Sequence, residues 1–170
     1  MAGRVAEVVA VSAFAAIVTI AIAAPVQSQR PDDQIAPKSV ELQRQAHTLM
    51  TAGKLDQAED LLETALAVDP RNRGAFVDLA RVAERQHLFG KAIRMANKAL
   101  LLEPNDPDAI AIQGEAMVEL GATARAQANL QKLQTICAPK GCPQVGQLSA
   151  AISRGPTVAA AKPPATPKSN

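Results

Sequence analysis

Small and apolar residues recur at helical spacing in pairs of short segments separated by glycine or proline. Leu42, Ala46 and Leu49 lie three or four positions apart, which places them on one face of a helix. Gly53 follows as a break, and the pattern resumes from Leu55. It stops before Asp69-Pro70, because proline disfavours helical backbone at the residue that precedes it. The pattern predicts two helices joined by a tight turn.

This pair of predicted helices returns every 34 residues. Asp69-Pro70-Arg71-Asn72 reappears as Glu103-Pro104-Asn105-Asp106 after that interval. Small residues keep the same register: Ala46, Ala80 and Gly114; Ala58, Ala92 and Ala126; Ala65 and Ala99. A fixed period of this size is typical of stacked repeats, in which each unit buries a face against its neighbour. The sequence therefore predicts an all-α solenoid of about three helix-turn-helix units.

The predicted repeat domain spans 39–153, with units at 39–72, 73–106 and 107–138. A solenoid ends in an exposed apolar face, so a cap is expected after the last unit. Val145, Leu148 and Ile152 form an amphipathic stripe that predicts a capping helix at 143–153. Residues 154–170 are rich in proline, alanine and lysine and predict a disordered tail.

The N-terminal segment 1–23 reads as a signal peptide or a membrane anchor. Val8 to Ala24 carries no charge, and Ala21-Ile22-Ala23 fits a cleavage site of small residues. Either interpretation places the repeats outside the cytoplasm: free in a bacterial periplasm, or held at the inner membrane through residues 5–24. Residues 24–38 are predicted to be a flexible linker.

Composition narrows the classes of partner. Aromatic residues make up only 2% of the chain, so the core must be built from alanine and leucine, which suits helices. The net charge of +2 is too small to indicate nucleic-acid binding.

Cys137 and Cys142 stand at the junction between the last unit and the predicted cap. In an exported protein such a pair predicts a structural disulfide. The alternative is a thiol-disulfide redox protein acting through the same two residues. A zinc site would need two further ligands, and His47 and His87 lie in other units. No catalytic arrangement of side chains is recognisable, and we expect neither a metal, a cofactor nor enzyme activity.

The 34-residue unit, with small residues at positions 8, 20 and 27 and proline at position 32, resembles the tetratricopeptide repeat. The first two units carry the full pattern: Ala46, Ala58, Ala65 and Pro70, then Ala80, Ala92, Ala99 and Pro104. In the third, Leu133 replaces a small residue and Pro139 comes one position late. The resemblance covers about 100 of the 170 residues. It implies a non-catalytic scaffold or adaptor that binds a peptide or helix of another protein, alternatively a membrane-tethered assembly subunit.

The resemblance also implies where a partner would bind. In this family the first helix of each unit lines a concave groove, chiefly through positions 2, 5, 9, 12 and 13. Carried over, positions 5, 9, 12 and 13 give Gln43, His47, Met50 and Thr51; Val77, Arg81, Glu84 and Arg85; Ala111, Glu115, Val118 and Glu119. The pairs Arg81/Arg85 and Glu115/Glu119 are each one helical turn apart, so we expect a basic ridge beside an acidic one.

One specialised partner is disfavoured. Family members that grip the acidic carboxyl terminus of chaperones resemble one another in Lys and Asn at positions 5 and 9 of the first unit. Gln43 and His47 stand there in this chain. The groove is therefore not expected to form that carboxylate clamp.

Overall fold

The structure is a computed structural model that describes residues 34–138 and 140–157, which all lie in the unit Asp32–Asn170. The described residues form seven helices: α1 (Pro37–Thr51), α2 (Leu55–Val68), α3 (Arg73–Arg85), α4 (Phe89–Leu102), α5 (Pro107–Glu119), α6 (Thr123–Cys137) and α7 (Pro143–Arg154). The predicted segment 1–23, the linker up to residue 33 and the tail from residue 158 lie outside the described residues. The fold is the expected all-α solenoid of paired helices.

Polar side chains cap the beginnings of α3 and α5, which are the first helices of the second and third units. The Asn72 side-chain oxygen accepts a hydrogen bond from the Ala75 N–H at 3.1 Å, and Asp106 does the same for Ala109 at 2.8 Å. Both groups satisfy a backbone donor that the helix leaves unpaired. Pro107 occupies the first helical position, where its missing N–H costs nothing.

Ser39, the first residue of the first predicted unit, does not cap α1. Helix α1 begins at Pro37, two residues earlier, and Ser39 lies inside the helix and is buried. Its hydroxyl donates to the Ala65 carbonyl of α2 at 2.7 Å and accepts from the Asn72 side-chain amide at 2.9 Å. Ser39 therefore fastens three helices together, a role that a sequence pattern does not distinguish from capping.

Each unit is an antiparallel pair of helices. The bond from Ser39 to Ala65 joins the beginning of α1 to the end of α2, so the two run in opposite directions. Ala46, Ala58 and Ala65 are fully buried between them. Small side chains let the backbones approach closely, and Leu42, Leu62 and Leu79 fill the remaining apolar core.

The first helices of successive units pack on one another: α1 on α3, α3 on α5, and α5 on α7. No comparable packing joins α2 to α4 or α4 to α6 in the described part of the chain. The first helices therefore lie on the inner side of the stack. We call the surface that α1, α3, α5 and α7 form the first-helix face.

Helix α7 occupies the place of the first helix of a fourth unit. Gln144 near its start contacts Asp108 near the start of α5, and Leu148 lies against Gly114 one turn and a half further on. The helix spans the predicted cap 143–153 and one residue more. Leu133, which replaces a small residue in the third unit, is fully buried in the cluster that also holds Leu148.

Candidate functional site

The residues predicted to line a groove divide into buried apolar and partly exposed polar side chains. Met50, Val77 and Val118 are only 4%, 7% and 1% exposed and pack in the cores between helices. Their partner-binding role stays a prediction, but in this structure their side chains stabilise the stack. The polar members face outward, so the chemistry of the first-helix face rests on them.

At the N-terminal end of this face, α1 and α3 are joined through the buried carboxylate of Asp78. The Gln43 amide donates to one carboxylate oxygen at 2.8 Å, and His47 Nε2 lies 3.2 Å from the other. Burial raises the pKa of Asp78, although the Gln43 hydrogen bond and the nearby His47 act in the opposite direction. The His47 side chain is 61% exposed, so its ring remains accessible from solvent while one nitrogen is engaged.

Arg81 and Arg85, which lie one turn apart on α3, point to different neighbours. Arg85 donates to the Met50 carbonyl of α1 at 2.7 Å, whereas Arg81 contacts Asp108 of α5 at 3.4 Å. Asp108 also accepts from the Gln144 amide of α7 at 3.0 Å. The basic ridge stays a prediction, and in the structure each of its two guanidinium groups is engaged by a different helix.

Acidic side chains lie close together near the C-terminal ends of α3 and α5. The Glu84 side chain of α3 is hydrogen-bonded to Glu115 of α5, and burial together with the Glu115 charge raises the pKa of Glu84 to about 8. The Glu84 carboxyl is therefore mostly protonated at neutral pH and serves as the donor to Glu115. One turn beyond Glu115, Glu119 accepts hydrogen bonds from both the N–H and the hydroxyl of Thr157 at 2.8 Å each.

Sequence reasoning missed four residues of this network: Asp78, Asp108, Gln144 and Thr157. Asp78 lies one turn before Arg81 on the same helix, and Asp108 stands at position 2 of the third unit. Both positions carried a usable signal. Gln144 and Thr157 had none, because their roles depend on α7 lying beside α5.

Cys137 and Cys142 form a disulfide across the turn between α6 and α7, with 5.5 Å between their Cα atoms. This is the pair predicted from the sequence. No cluster of His, Cys, Asp and Glu side chains within residues 34–138 and 140–157 is arranged to hold a metal ion. Among the helices described, none is long and apolar enough to cross a bilayer; the predicted anchor lies outside them.

Paired helices with small residues at fixed positions, stacked with the first helices inside, define a helical-repeat scaffold, a fold that is typically non-catalytic. Residues 49–116 match the family described as tetratricopeptide repeat. Over these residues the match confirms the resemblance seen in the sequence.

Comparison with curated proteins gives one relative, "Cellulose synthase 2 operon protein C" of Komagataeibacter xylinus, 38% identical over 71 residues. That stretch covers 42% of this chain, and the chain spans only 5% of the length of this relative. The match is therefore between parts of the two proteins and not between whole proteins.

Several solved structures share the fold. The Sgt2 TPR domain of Aspergillus fumigatus superposes with a TM-score of 0.64 at 20% identity, covering 79% of this chain and 91% of that one. The TPR2B domain of yeast Sti1, in complex with pHsp70, gives 0.64 at 20%, covering 70% and 98%. The first TPR domain of Spaghetti (RPAP3), bound to the HSP90 peptide SRMEEVD, gives 0.62 at 22%, covering 69% and 91%. At these identities the likeness establishes the fold alone.

Proposed function

We propose that this protein is a non-catalytic scaffold that binds a peptide or helical segment of another protein on its first-helix face. The observation that carries the proposal is the parallel row of first helices, whose outward side chains are polar and partly exposed. Structures with the same fold bind partners, namely the HSP90 peptide SRMEEVD on the first TPR domain of Spaghetti (RPAP3) and pHsp70 on the TPR2B domain of yeast Sti1. A similar row of helices offers this chain the same mode of binding.

The partner should differ from those acidic chaperone peptides. Gln43 and His47, at the positions where clamp-forming relatives carry Lys and Asn, are bound to the buried Asp78. This end of the face therefore presents a carboxylate and its hydrogen-bond partners, without the lysine that clamp-forming relatives place there. An acidic carboxyl terminus would be repelled more than held.

Site-directed photo-crosslinking tests the assignment of the face. His47 and Glu63 have equally exposed side chains, 61% each, but His47 lies on the first-helix face and Glu63 on the second helix α2. A crosslinking residue placed at position 47 should capture a discrete partner in cells that produce the full chain. The same residue at position 63 should not. Equal capture from both positions would refute a dedicated binding face.

We also propose that the domain acts outside the cytoplasm, as a periplasmic adaptor or as a subunit tethered to the inner membrane. The support is the uncharged run Val8 to Ala24 with its small-residue cleavage pattern. Mass analysis of the mature N-terminus separates the two forms. Loss of residues 1–23 indicates a free periplasmic protein, retention together with membrane fractionation indicates a tether, and retention in the soluble cytoplasm would contradict both.

A further inference from the structure

After α7 the chain turns back onto the stack. Gly155 has a φ of 72°, and its N–H donates to the carbonyl oxygens of Ala151 and Ile152 at 3.1 and 3.3 Å. A glycine in the left-handed conformation ends a helix and lets the chain change direction, because it has no side chain to clash with the backbone. We call residues 155–157, which follow α7, the return segment.

Thr157 fastens the return segment to α5. Its N–H and its hydroxyl each donate to the same carboxylate oxygen of Glu119 at 2.8 Å. Helix α7 runs beside α5 in the same direction, since Gln144 contacts Asp108 where both helices begin. The chain therefore passes from the last helix of the row to the one before it, and so toward the middle of the first-helix face.

The residue that holds Thr157 belongs to the proposed binding face. Glu119 is the last residue of α5 and stands at position 13 of the third unit, which the family resemblance places in the groove. Thr157 lies outside any helix. The return segment thus places non-helical chain on a side chain that the proposed function gives to a partner.

The chain beyond Thr157 is long enough to cross the face. Residues 158–170 include Pro163, Pro164 and Pro167, and proline-rich chains favour an extended polyproline II backbone. At about 3.1 Å per residue, a segment of this length spans about 40 Å. Neighbouring helix axes lie about 10 Å apart, so α5 and α1, with α3 between them, are separated by about 20 Å. From the point where Thr157 is held, this segment can reach every first helix.

The composition of residues 158–170 suits a polar surface. Apart from Val158, the segment contains only alanine, proline, lysine, threonine, serine and asparagine, so it needs no deep apolar pocket. A polyproline II backbone makes no internal hydrogen bonds, and its carbonyl oxygens can accept from other groups. Guanidinium and amide groups, such as those of Arg81 and Gln144 on the first-helix face, are suitable donors.

Covalent linkage allows even weak contacts to cover the face. A segment on a short linker is present at an effective concentration on the order of 1 mM. Contacts with a dissociation constant of about 0.1 mM would then cover the face for about nine-tenths of the time. A separate partner would bind about tenfold more weakly to a face covered to this extent.

We propose that the return segment and residues 158–170 form an intramolecular occupant of the first-helix face, which a partner must displace in order to bind. This inference rests on the proposed function and adds a regulation of the same face. Thr157 is the anchor of the occupant, and loss of its two hydrogen bonds to Glu119 opens the face.

Nuclear magnetic resonance tests the occupant without any partner. The full chain is compared with a chain of equal length in which residues 158–170 are replaced by alternating glycine and serine. Amide shifts should differ at His47 of α1 and Arg81 of α3 but not at Glu63 of α2, whose side chain is as exposed as that of His47, at 61%. Differences confined to α7 and the end of α5, or equal differences at Glu63, would overturn the proposal.

Dilution tests the competing arrangement, in which residues 158–170 cover the face of a second copy. An intramolecular occupant gives shift differences that do not change when the protein is diluted tenfold. Differences that disappear on dilution would assign the segment to a second copy and overturn the proposal.

Substitutions at Thr157 test the anchor. Thr157→Pro removes both donors and Thr157→Val removes only the hydroxyl, so the shifts of α1 and α3 should move toward those of the glycine-serine chain fully in the first variant and partly in the second. Thr135→Val is the matched control, because the Thr135 hydroxyl donates to the Gln131 carbonyl within α6. It should leave these shifts unchanged. A Thr157→Pro variant with the shifts of the wild type would contradict the anchor.

Crosslinking from position 47 tests the effect on a partner. At limiting partner concentration, the glycine-serine chain should capture the same discrete partner with a yield about three- to tenfold higher than the wild type. Equal yields would overturn the inference while the proposed function stands. If neither chain captures a partner although the shift differences are present, the proposed function is wrong and the covering of the face remains.

Discussion

Leu148 of α7 lies so close to Gly114 of α5 that a methyl group at position 114 would be 2.7 Å from both of its terminal carbons. Gly114 is the third-unit counterpart of Ala46 and Ala80, which are fully buried in the first two units. The exchange of alanine for glycine in the third unit thus has a packing reason. The capping helix places the large side chain of Leu148 against position 114, and glycine leaves the space for it.

Gly114→Ala should therefore destabilise the domain, against the usual trend. Alanine inside a helix normally gains about 1 kcal/mol over glycine. Here the added carbon meets both terminal carbons of a fully buried leucine, and overpacking of this kind costs about 1–3 kcal/mol. Chemical denaturation should show a lower midpoint, and hydrogen exchange should show that protection is lost first in α7.

A double-mutant cycle with Leu148→Ala isolates the contact. Leu148→Ala alone should cost about 2–4 kcal/mol, because it leaves a cavity in the last core cluster. In that background Gly114→Ala should become neutral or stabilising, since the clash is gone and helix propensity remains. Additive losses in the double variant would show that the two residues do not compete for the same space.

The pair formed by Glu84 and Glu115 predicts a stability that depends on pH. The raised pKa of Glu84, about 8, means that the folded state binds this proton more tightly than the unfolded chain, in which the group titrates near 4.5. Its contribution is therefore fully favourable below pH 4.5 and declines as the pH rises toward 8. Glu84→Gln, which mimics the protonated form, should raise the Tm relative to the wild type by about 5 °C at pH 9 and by little at pH 5.

Glu63→Gln is the matched control for this pH dependence. It removes the same charge from an exposed site on α2, so its Tm difference from the wild type should be small and nearly constant between pH 5 and 9. Thermal unfolding followed by circular dichroism gives both series. A Glu84→Gln curve that runs parallel to the wild type would contradict the raised pKa.

Helix pairing and register could be predicted from the sequence because they depend on local spacing. Three features each indicate the secondary structure of their own segment: alanines at a constant interval, Asn72 and Asp106 before the helices, and proline after Asp69 and Glu103. The contacts between side chains on the first-helix face were harder to predict from the sequence. Whether Arg81 meets Asp108, or Glu84 meets Glu115, depends on how far one unit rotates on the next, and that rotation is set by the packed core as a whole.

The turns between the two helices of each unit also differ in how well their backbone conformation could be predicted from the sequence. Gly53, His87 and Gly121 stand 34 residues apart, and all three have positive φ, at 74°, 59° and 76°. Two glycines signalled this backbone conformation in advance. The histidine did not, because glycine and not histidine is the usual residue at positive φ. Its ring lies edge-on to Phe89, with 5.8 Å between the ring centroids.

His87→Gly should stabilise the second unit. A non-glycine residue in the left-handed region costs on the order of 1 kcal/mol, and glycine removes this cost. Two effects reduce the gain: glycine is more flexible in the unfolded chain, and the contact with Phe89 is lost. We expect a net gain of about 0.5 kcal/mol, or about 2–4 °C in Tm. His87→Ala keeps the strained backbone and loses the ring contact, so it should be less stable than the wild type. A decrease for both variants would mean that the contact with Phe89 outweighs the strain.

The disulfide between Cys137 and Cys142 should act on α7 alone. Because the bond closes a short loop, the chain-entropy estimate of its stabilisation is about 2 kcal/mol. Replacing both cysteines with serine should lower the Tm, and hydrogen exchange should show more frequent opening of α7 while α1 to α4 stay protected, since repeats in a solenoid contact only their neighbours.

The same bond separates a structural from a redox role. A structural disulfide has a reduction potential below about −300 mV, whereas a working redox pair lies well above that value. Equilibration of the full chain against glutathione should therefore leave the bond closed. A potential near that of the thiol-disulfide oxidoreductases, together with partner capture that depends on reduction, would instead make Cys137 and Cys142 the functional centre of the molecule.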